Sequence, residues 1–246
     1  VSETWDEIKR VAAERGAEVT QFDAAFDAAK QQQQLQTAIA SGKYQGIILN
    51  AISDALSADA TAAAEAGITV GTVGPILGEA MDTSDPQVEG VSFGVHDPPA
   101  NWGQRMGKLA IQACEGKDPC RVVYFYGIKG SPSDEGFFDA FEETVSGEET
   151  IDIVATPEGK YLGPDVALAA MQNVLQSNPD VDVVVGADQS MQGVELALDQ
   201  AGKLDQVAII GLGGSDVGIE RIAAGTWFGG VMTAPATEGE IAMETM

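Results

Sequence analysis

The side chains best placed for chemistry in this sequence are Asn50, Lys129, Ser131 and Asp188, together with the bare backbone around Gly74 and Gly213. Each lies at or just after the end of a short apolar run, where a strand would hand over to a loop. An amide supplies a donor and an acceptor, and a carboxylate accepts at least two hydrogen bonds, which suits a hydroxyl-rich or cationic small molecule. Any one of these residues equally suits a turn or a helix cap. Their common position in two matching stretches of the chain is what favours a shared binding site.

Catalysis finds few participants. The chain has one histidine, His96, beside Pro98-Pro99, a place that suits a hydrogen-bonded hinge residue better than a base. A hydrolytic metal centre wants several converging ligands, and a serine nucleophile would also need a histidine. No cofactor, no metal and no enzymatic activity are expected. Gly127-Ile-Lys-Gly-Ser131 lacks the Gly-Lys-Ser/Thr ending of a phosphate loop, and Gly211-Leu-Gly-Gly-Ser-Asp216 lacks the third glycine of a dinucleotide fingerprint. Both read as tight turns that let backbone approach a helix or a ligand.

Composition narrows the partners. Asp and Glu number 38 against 13 Lys and Arg in 246 residues, a net charge of -25 with a pI of about 4.1. Such a surface repels phosphates and anionic lipid, so nucleic acid and membrane surfaces are poor partners. A hydrated acidic shell that maintains solubility is the plainer reading. No apolar run reaches the roughly 18 residues of a membrane-spanning helix, and no basic-then-apolar leader opens the chain. Exported proteins lose that leader on maturation, so this decides nothing. Cys114 and Cys120 flank a turn that would let them meet, either as reduced thiols or as a disulfide, and a disulfide would place the protein outside the cytoplasm.

The elements that must position these residues alternate. Val183–Val185 reads as a buried strand, with Asp188 and Gln189 on the loop after it, then a helix whose Met191, Val194, Leu196 and Leu198 pack on the sheet and which closes at Gly202. The same phrase runs from Leu35 to Gly74: a helix end, a strand over 46–49, Asn50, an alanine-rich helix over 54–64, and a strand over 68–73. Helices are further predicted over 1–14, 28–40, 101–112, 135–145, 164–175, 218–224 and 238–246. Strands are predicted over 17–22, 90–95, 121–126, 152–155, 207–210 and 227–233. Phe138 and Phe141 turn inward, and Gly103 and Gly107 allow close helix packing. Two matching βαβ phrases imply two similar α/β lobes with largely parallel sheets, and ligands bind such sheets at the carboxyl ends of their strands.

At these residues the chain resembles the periplasmic sugar-binding proteins of the ribose-binding class, the substrate receptors of ABC importers, whose fold is shared by the effector domains of lactose-repressor-type regulators. The likeness is carried by Gln36-Thr-Ala-Ile-Ala-Ser-Gly-Lys-Tyr-Gln-Gly-Ile-Ile-Leu-Asn50, Ala66-Gly67-Ile68-Thr-Val70, Met171-Gln-Asn-Val-Leu-Gln-Ser-Asn-Pro-Asp180, Gly186-Ala-Asp-Gln-Ser-Met191 and Ala197-Leu-Asp-Gln-Ala-Gly202. It implies two doubly wound parallel-sheet lobes, joined by a hinge, that close on a ligand (the type I periplasmic binding protein fold). The lobes would be residues 1–97 and 98–230, with 231–246 returning to the first. Crossings fit Val95–Pro99 and Gly230–Thr233. Relative to the family, the opening strand with its aromatic loop and the last strands lie outside this sequence. Trp5, just after the place of that loop, equally suits a core position.

The resemblance also implies a site of Asn50, Gly74, Lys129, Glu135, Tyr161, Asp188, Gly213 and Thr233. Asn50 matches a family ligand contact and Asp188 takes the place of an amide contact. Tyr161, or else Leu162, stands where the second lobe offers an aromatic ring. Thr233 occupies a crossing position where glutamine is common. Three departures matter: Gly74-Pro75 replaces an Asp-Arg pair, Glu135 replaces an arginine, and Gly213 replaces an acidic residue. Glu135 with Asp188 could favour an amine-bearing ligand, or the exposed glycine backbone a larger glycoside. The family reading implies an extracytoplasmic monomer serving a membrane permease and binding a sugar-like solute. The alternative is the ligand-sensing domain of a regulator, which would need a basic helix-turn-helix ahead of Val1.

Overall fold

The run Val183–Ala187 forms a strand with no exposed residue on either face. β-branched side chains fit a pleated surface, and a strand buried on both faces belongs to a parallel sheet covered by helices. That arrangement holds throughout the computed structural model, which describes residues 2–246. In chain order the elements are α1 (Ser2–Arg15), α2 (Ala28–Ser41), β1 (Gly46–Leu49), α3 (Ser57–Glu65), β2 (Thr69–Val73), β3 (Val91–Val95) and α4 (Pro99–Ala113). There follow β4 (Cys120–Tyr124), α5 (Pro132–Val145), β5 (Ile151–Ala155), α6 (Pro164–Ser177), β6 (Val183–Ala187) and α7 (Asp188–Gln200). The chain continues as β7 (Ala208–Gly213), α8 (Asp216–Ala223), β8 (Gly229–Met232) and α9 (Pro235–Thr245).

Two compact units result, one running to Pro98 and including Ala234–Met246, the other Pro99–Thr233. The first holds a three-stranded sheet in the order β1-β2-β3, the second a five-stranded sheet in the order β5-β4-β6-β7-β8. Every pairing between these strands is parallel. In the second unit, Val183 and Val185 pack with Met106, Phe141 and Val122 on the α4 and α5 face. Val184 packs on the opposite face with Met171, Met191 and Trp227. In the first unit Leu35, Leu56 and Val70 fill one side, and Ile8, Val11 and Met243 the other. Trp5 packs against that second cluster, so it is a core residue.

Several expectations are corrected. Residues 17–22 form no strand, because no described strand lies beside them to complete a ladder, and Val19 and Phe22 are 37% and 45% exposed. The helices expected from Glu135 and Glu238 begin three residues earlier, at Pro132 and Pro235, where a ring with no N–H costs nothing in the first turn. Phe137 and Phe141 are buried, while Phe138 is half-buried and meets the rings of Tyr124 and Tyr126, and Leu196, expected on the sheet-packed face of α7 with Val194 and Leu198, is 48% exposed. Cys114 and Cys120 meet Sγ to Sγ across their turn, with Cα atoms 5.6 Å apart.

Helices α4 and α5 approach closely because α4 carries glycine at the contact. A Cβ on Gly103 would run into the Phe137 carbonyl oxygen and lie 2.9 Å from the Ala140 Cβ. Gly103→Ala is therefore expected to cost about 1–3 kcal/mol, read as a lower midpoint in urea unfolding. An unchanged midpoint would contradict this packing.

Candidate functional site

Parallel strands all leave their sheet at the same edge, and the site residues collect there. In the second unit, Asp188 does not sit on a loop as its spacing implies. Ala187 turns directly from β6 into α7, and Asp188 is the first helical residue. It is 3% exposed, and its Oδ2 accepts hydrogen bonds from the Ser215 N–H and the Ser215 hydroxyl, both at 2.7 Å. Ser215 in turn caps α8 by accepting from the Gly218 N–H at 3.1 Å. The carboxylate thus organises the β7–α8 turn. It also accounts for the glycines there: a Cβ on Gly211 would collide with Asp188 Oδ1, and one on Gly213 would stand 3.3 Å from Oδ2. Asp188 thus brings a carboxylate beside Gly213 from the exit of the neighbouring strand β6. Thr233 closes the group, donating its N–H and hydroxyl to the Gly213 carbonyl at 3.2 and 2.9 Å.

The end of β4 assembles a second group. Tyr161 lays its ring over the backbone of Gly127, where a Cβ would overlap the ring, and donates its hydroxyl to Asp134 Oδ1 at 2.7 Å. Lys160 and Tyr161 both lie in the left-handed region, at φ 66° and 55°, a conformation that costs about 1–2 kcal/mol per residue. Hydrogen bonds from the Gly159 and Lys160 N–H groups to the Tyr126 and Gly127 carbonyls, at 2.8 and 2.9 Å, offset this. Leu162, the alternative to Tyr161, is 70% exposed. Glu135 accepts from the Gly130 N–H at 2.7 Å and from the Tyr126 hydroxyl at 3.2 Å. Lys129 donates its N–H to Glu158 at 3.1 Å and holds its ammonium 5.2 Å from the centre of the Tyr126 ring.

Asp134 is the residue of this group that sequence reasoning missed. It is 5% exposed, and its Oδ1 also accepts from the Gly127 N–H at 2.9 Å. Its signal was the sequence Ser131-Pro132-Ser133-Asp134, a proline at the first helical position with an acid in the first turn. Burial raises its pKa, while the bonds from Tyr161, Gly127, Ile128 and Ser131 act the other way.

In the first unit, Asn50 follows β1 and donates its amide to the Val73 carbonyl at 3.0 Å, tying the exits of β1 and β2. Gly74 has φ 75° and donates its N–H to the Val95 carbonyl at 3.0 Å. Asn50 and Gly74 are therefore neighbours, and a Cβ on Gly74 would lie 2.7 Å from Asn50 Nδ2. Glu238, from the first turn of α9, was also missed. Burial raises its pKa, and it accepts a hydrogen bond from the Asp97 backbone N–H. His96 is kept neutral by burial, which lowers its pKa; its ring is hydrogen-bonded to the Ser84 backbone, and its Nδ1 is buried with no partner. Gly90-Val-Ser-Phe-Gly94 spells the Gly-x-Ser-x-Gly pattern, but Ser92 lies within β3 and not on a strand-to-helix turn, so it forms no nucleophile elbow.

The family model of the periplasmic binding protein domain matches residues 1–246. The chain belongs to this family. No curated protein sequence gives a significant match. Among solved structures, an ABC transporter solute-binding protein from Mycobacterium smegmatis with bound glycerol is 26% identical, with 99% of this chain covering 81% of that one at a TM-score of 0.84. A solute-binding protein from Bacillus halodurans with bound myo-inositol has a TM-score of 0.86 at 18% identity, over 99% of this chain and 82% of that one. The Caulobacter myo-inositol binding protein has a TM-score of 0.83 at 24% identity, over 98% and 79%. As a type I periplasmic binding protein, the chain has the expected class of fold: parallel sheets wound with helices.

Raising the folded-state pKa of Asp134 favours its protonated form in the native protein. Its contribution to stability is complete below the ordinary aspartate value and is lost as pH rises through the raised native value. Asp134→Asn cannot ionise, so its stability relative to the native protein should increase across that interval in urea titrations at several pH values. A difference that does not change with pH would contradict the assignment.

Proposed function

We propose that this periplasmic binding protein is the extracytoplasmic solute receptor of an ABC importer and binds a neutral polyhydroxylated molecule, a sugar or a polyol. The observation that carries the reading is the state of the carboxylates at the strand ends. Asp188 is bonded to Ser215, and Glu135 to Gly130 and Tyr126. Asp188 Oδ2 and both Glu135 oxygens already accept protein hydrogen bonds, which leaves fewer positions for the three donors of an ammonium group. The remaining recognition chemistry is the Asn50 amide, the bare backbone at Gly74 and Gly213, and the Tyr161 ring. These groups bond hydroxyls and cover the apolar face of a sugar.

Related proteins support the same solute class. Structures of this fold hold glycerol, myo-inositol, D-allose and D-arabinose. The substrate is released unchanged to a membrane permease, and the receptor works as a single chain. The meeting of Cys114 and Cys120 supports an oxidised pair, as suits a protein outside the cytoplasm.

A solute that binds only the native state raises apparent stability by mass action, about 2.7 kcal/mol at 100 times its Kd. A thermal-shift panel of neutral sugars, polyols, nucleosides and small amines should give its largest rise in Tm with a sugar or polyol. A rise confined to amines would contradict the reading. Titration with a thiol reagent under denaturing conditions, without reductant, should detect no free thiol; two reactive thiols per chain would contradict the oxidised pair.

A further inference from the structure

Glycine at position 74 lets its backbone lie directly beside two polar groups. A Cβ built there would lie 2.7 Å from Asn50 Nδ2 and 3.9 Å from Glu238 Oε2. The two groups come from distant parts of the chain. Asn50 follows β1, whereas Glu238 arrives on α9, which starts at Pro235 and packs against β2 and β3. With φ at 75°, Gly74 holds a conformation that side-chain-bearing residues rarely adopt, so no side chain of its own stands between Asn50 and Glu238.

We propose that Glu238 is a solute-contacting residue that sets specificity in the first unit, presenting a carboxylate oxygen beside Gly74 to a hydroxyl of the bound molecule. The inference rests on the sugar-receptor reading. A carboxylate has about four acceptor positions, and the Asp97 N–H supplies one donor. The half-buried group therefore keeps acceptor capacity, and its Oε2 stands near Gly74. A hydroxyl hydrogen directed at the carboxylate would satisfy it, and the same hydroxyl oxygen could accept from a neighbouring donor. Adjacent hydroxyls of a cyclic sugar or polyol offer this combination; a solute with only acceptors does not. Burial raises the Glu238 pKa and the Asp97 N–H acts the other way, but it is geometry that places the carboxylate beside Gly74.

A plain structural role for Glu238, holding the Asp97 backbone or capping the first turn of α9, predicts a change in stability with no change in solute affinity. The test is calorimetric titration of the wild-type chain, Glu238→Gln and Asn50→Ala with myo-inositol and D-allose, alongside solute-free melting curves. Glutamine keeps an acceptor for Asp97 but removes the charge, so affinity for the bound probe should fall about tenfold or more, with the solute-free Tm nearly unchanged. Glu238→Asp, which keeps the charge and withdraws it by one methylene, should show an intermediate loss and serves if the glutamine variant folds poorly. Wild-type affinity in both Glu238 variants, with binding lost in Asn50→Ala, would overturn the role of Glu238 and leave the receptor reading standing. Failure of the wild-type chain to bind either probe would overturn both.

Discussion

The constraint on which the structure depends is the burial of parallel strands on both faces. Val183, Val184 and Val185 alternate between two cores, and each valine withdrawn from water contributes about 1.5–3 kcal/mol. Both faces must then be covered, so the chain returns from each strand through a helix, and every strand leaves its sheet at the same edge. That geometry, not any individual motif, brings Asp188, Gly213 and Thr233 together, and separately Asn50 and Gly74. Polar residues at the edge can be exchanged while the cores remain intact, which is how one family fold accommodates different solutes.

At this edge the carboxylates do structural work before any ligand arrives. Asp188 and Asp134 lie almost wholly out of solvent, Asp188 held by the N–H and hydroxyl of Ser215 and Asp134 by the Gly127 N–H and the Tyr161 hydroxyl. A buried charge left without such donors would cost several kcal/mol. Several glycines are the counterpart of these acids, because side chains at Gly211, Gly213 and Gly218 would press on Asp188. Charge at the edge is therefore set by the network as a whole, and a substitution at one position can be answered by a carboxylate reaching in from its neighbour.

Much of the fold was legible in the sequence. The β-branched runs, the alanine-rich helix and the glycines at helix ends mark elements through local rules. Residues 17–22 were misread because they have strand-like residues, yet a strand exists only where another completes its hydrogen bonds. The exits of β1 and β2 were visible through Asn50 and Gly74, since position along the chain locates them. Asp134 and Glu238 were not, because each reaches its partners only once a helix begins at the preceding proline. Asp188 was found, but not its role: nothing near it in sequence announces Ser215.

The central claim is that a neutral polyol binds at the carboxyl ends of these strands. Backbone amide NMR of the assigned protein during titration with myo-inositol tests it most directly. The account predicts saturable shifts at Asn50, Gly74, Gly127 and Gly213, with Gly116 and Thr150, by the turn that joins Cys114 and Cys120, unmoved. Saturable shifts confined to that turn, or no shifts at the strand ends with any neutral sugar or polyol, would contradict it.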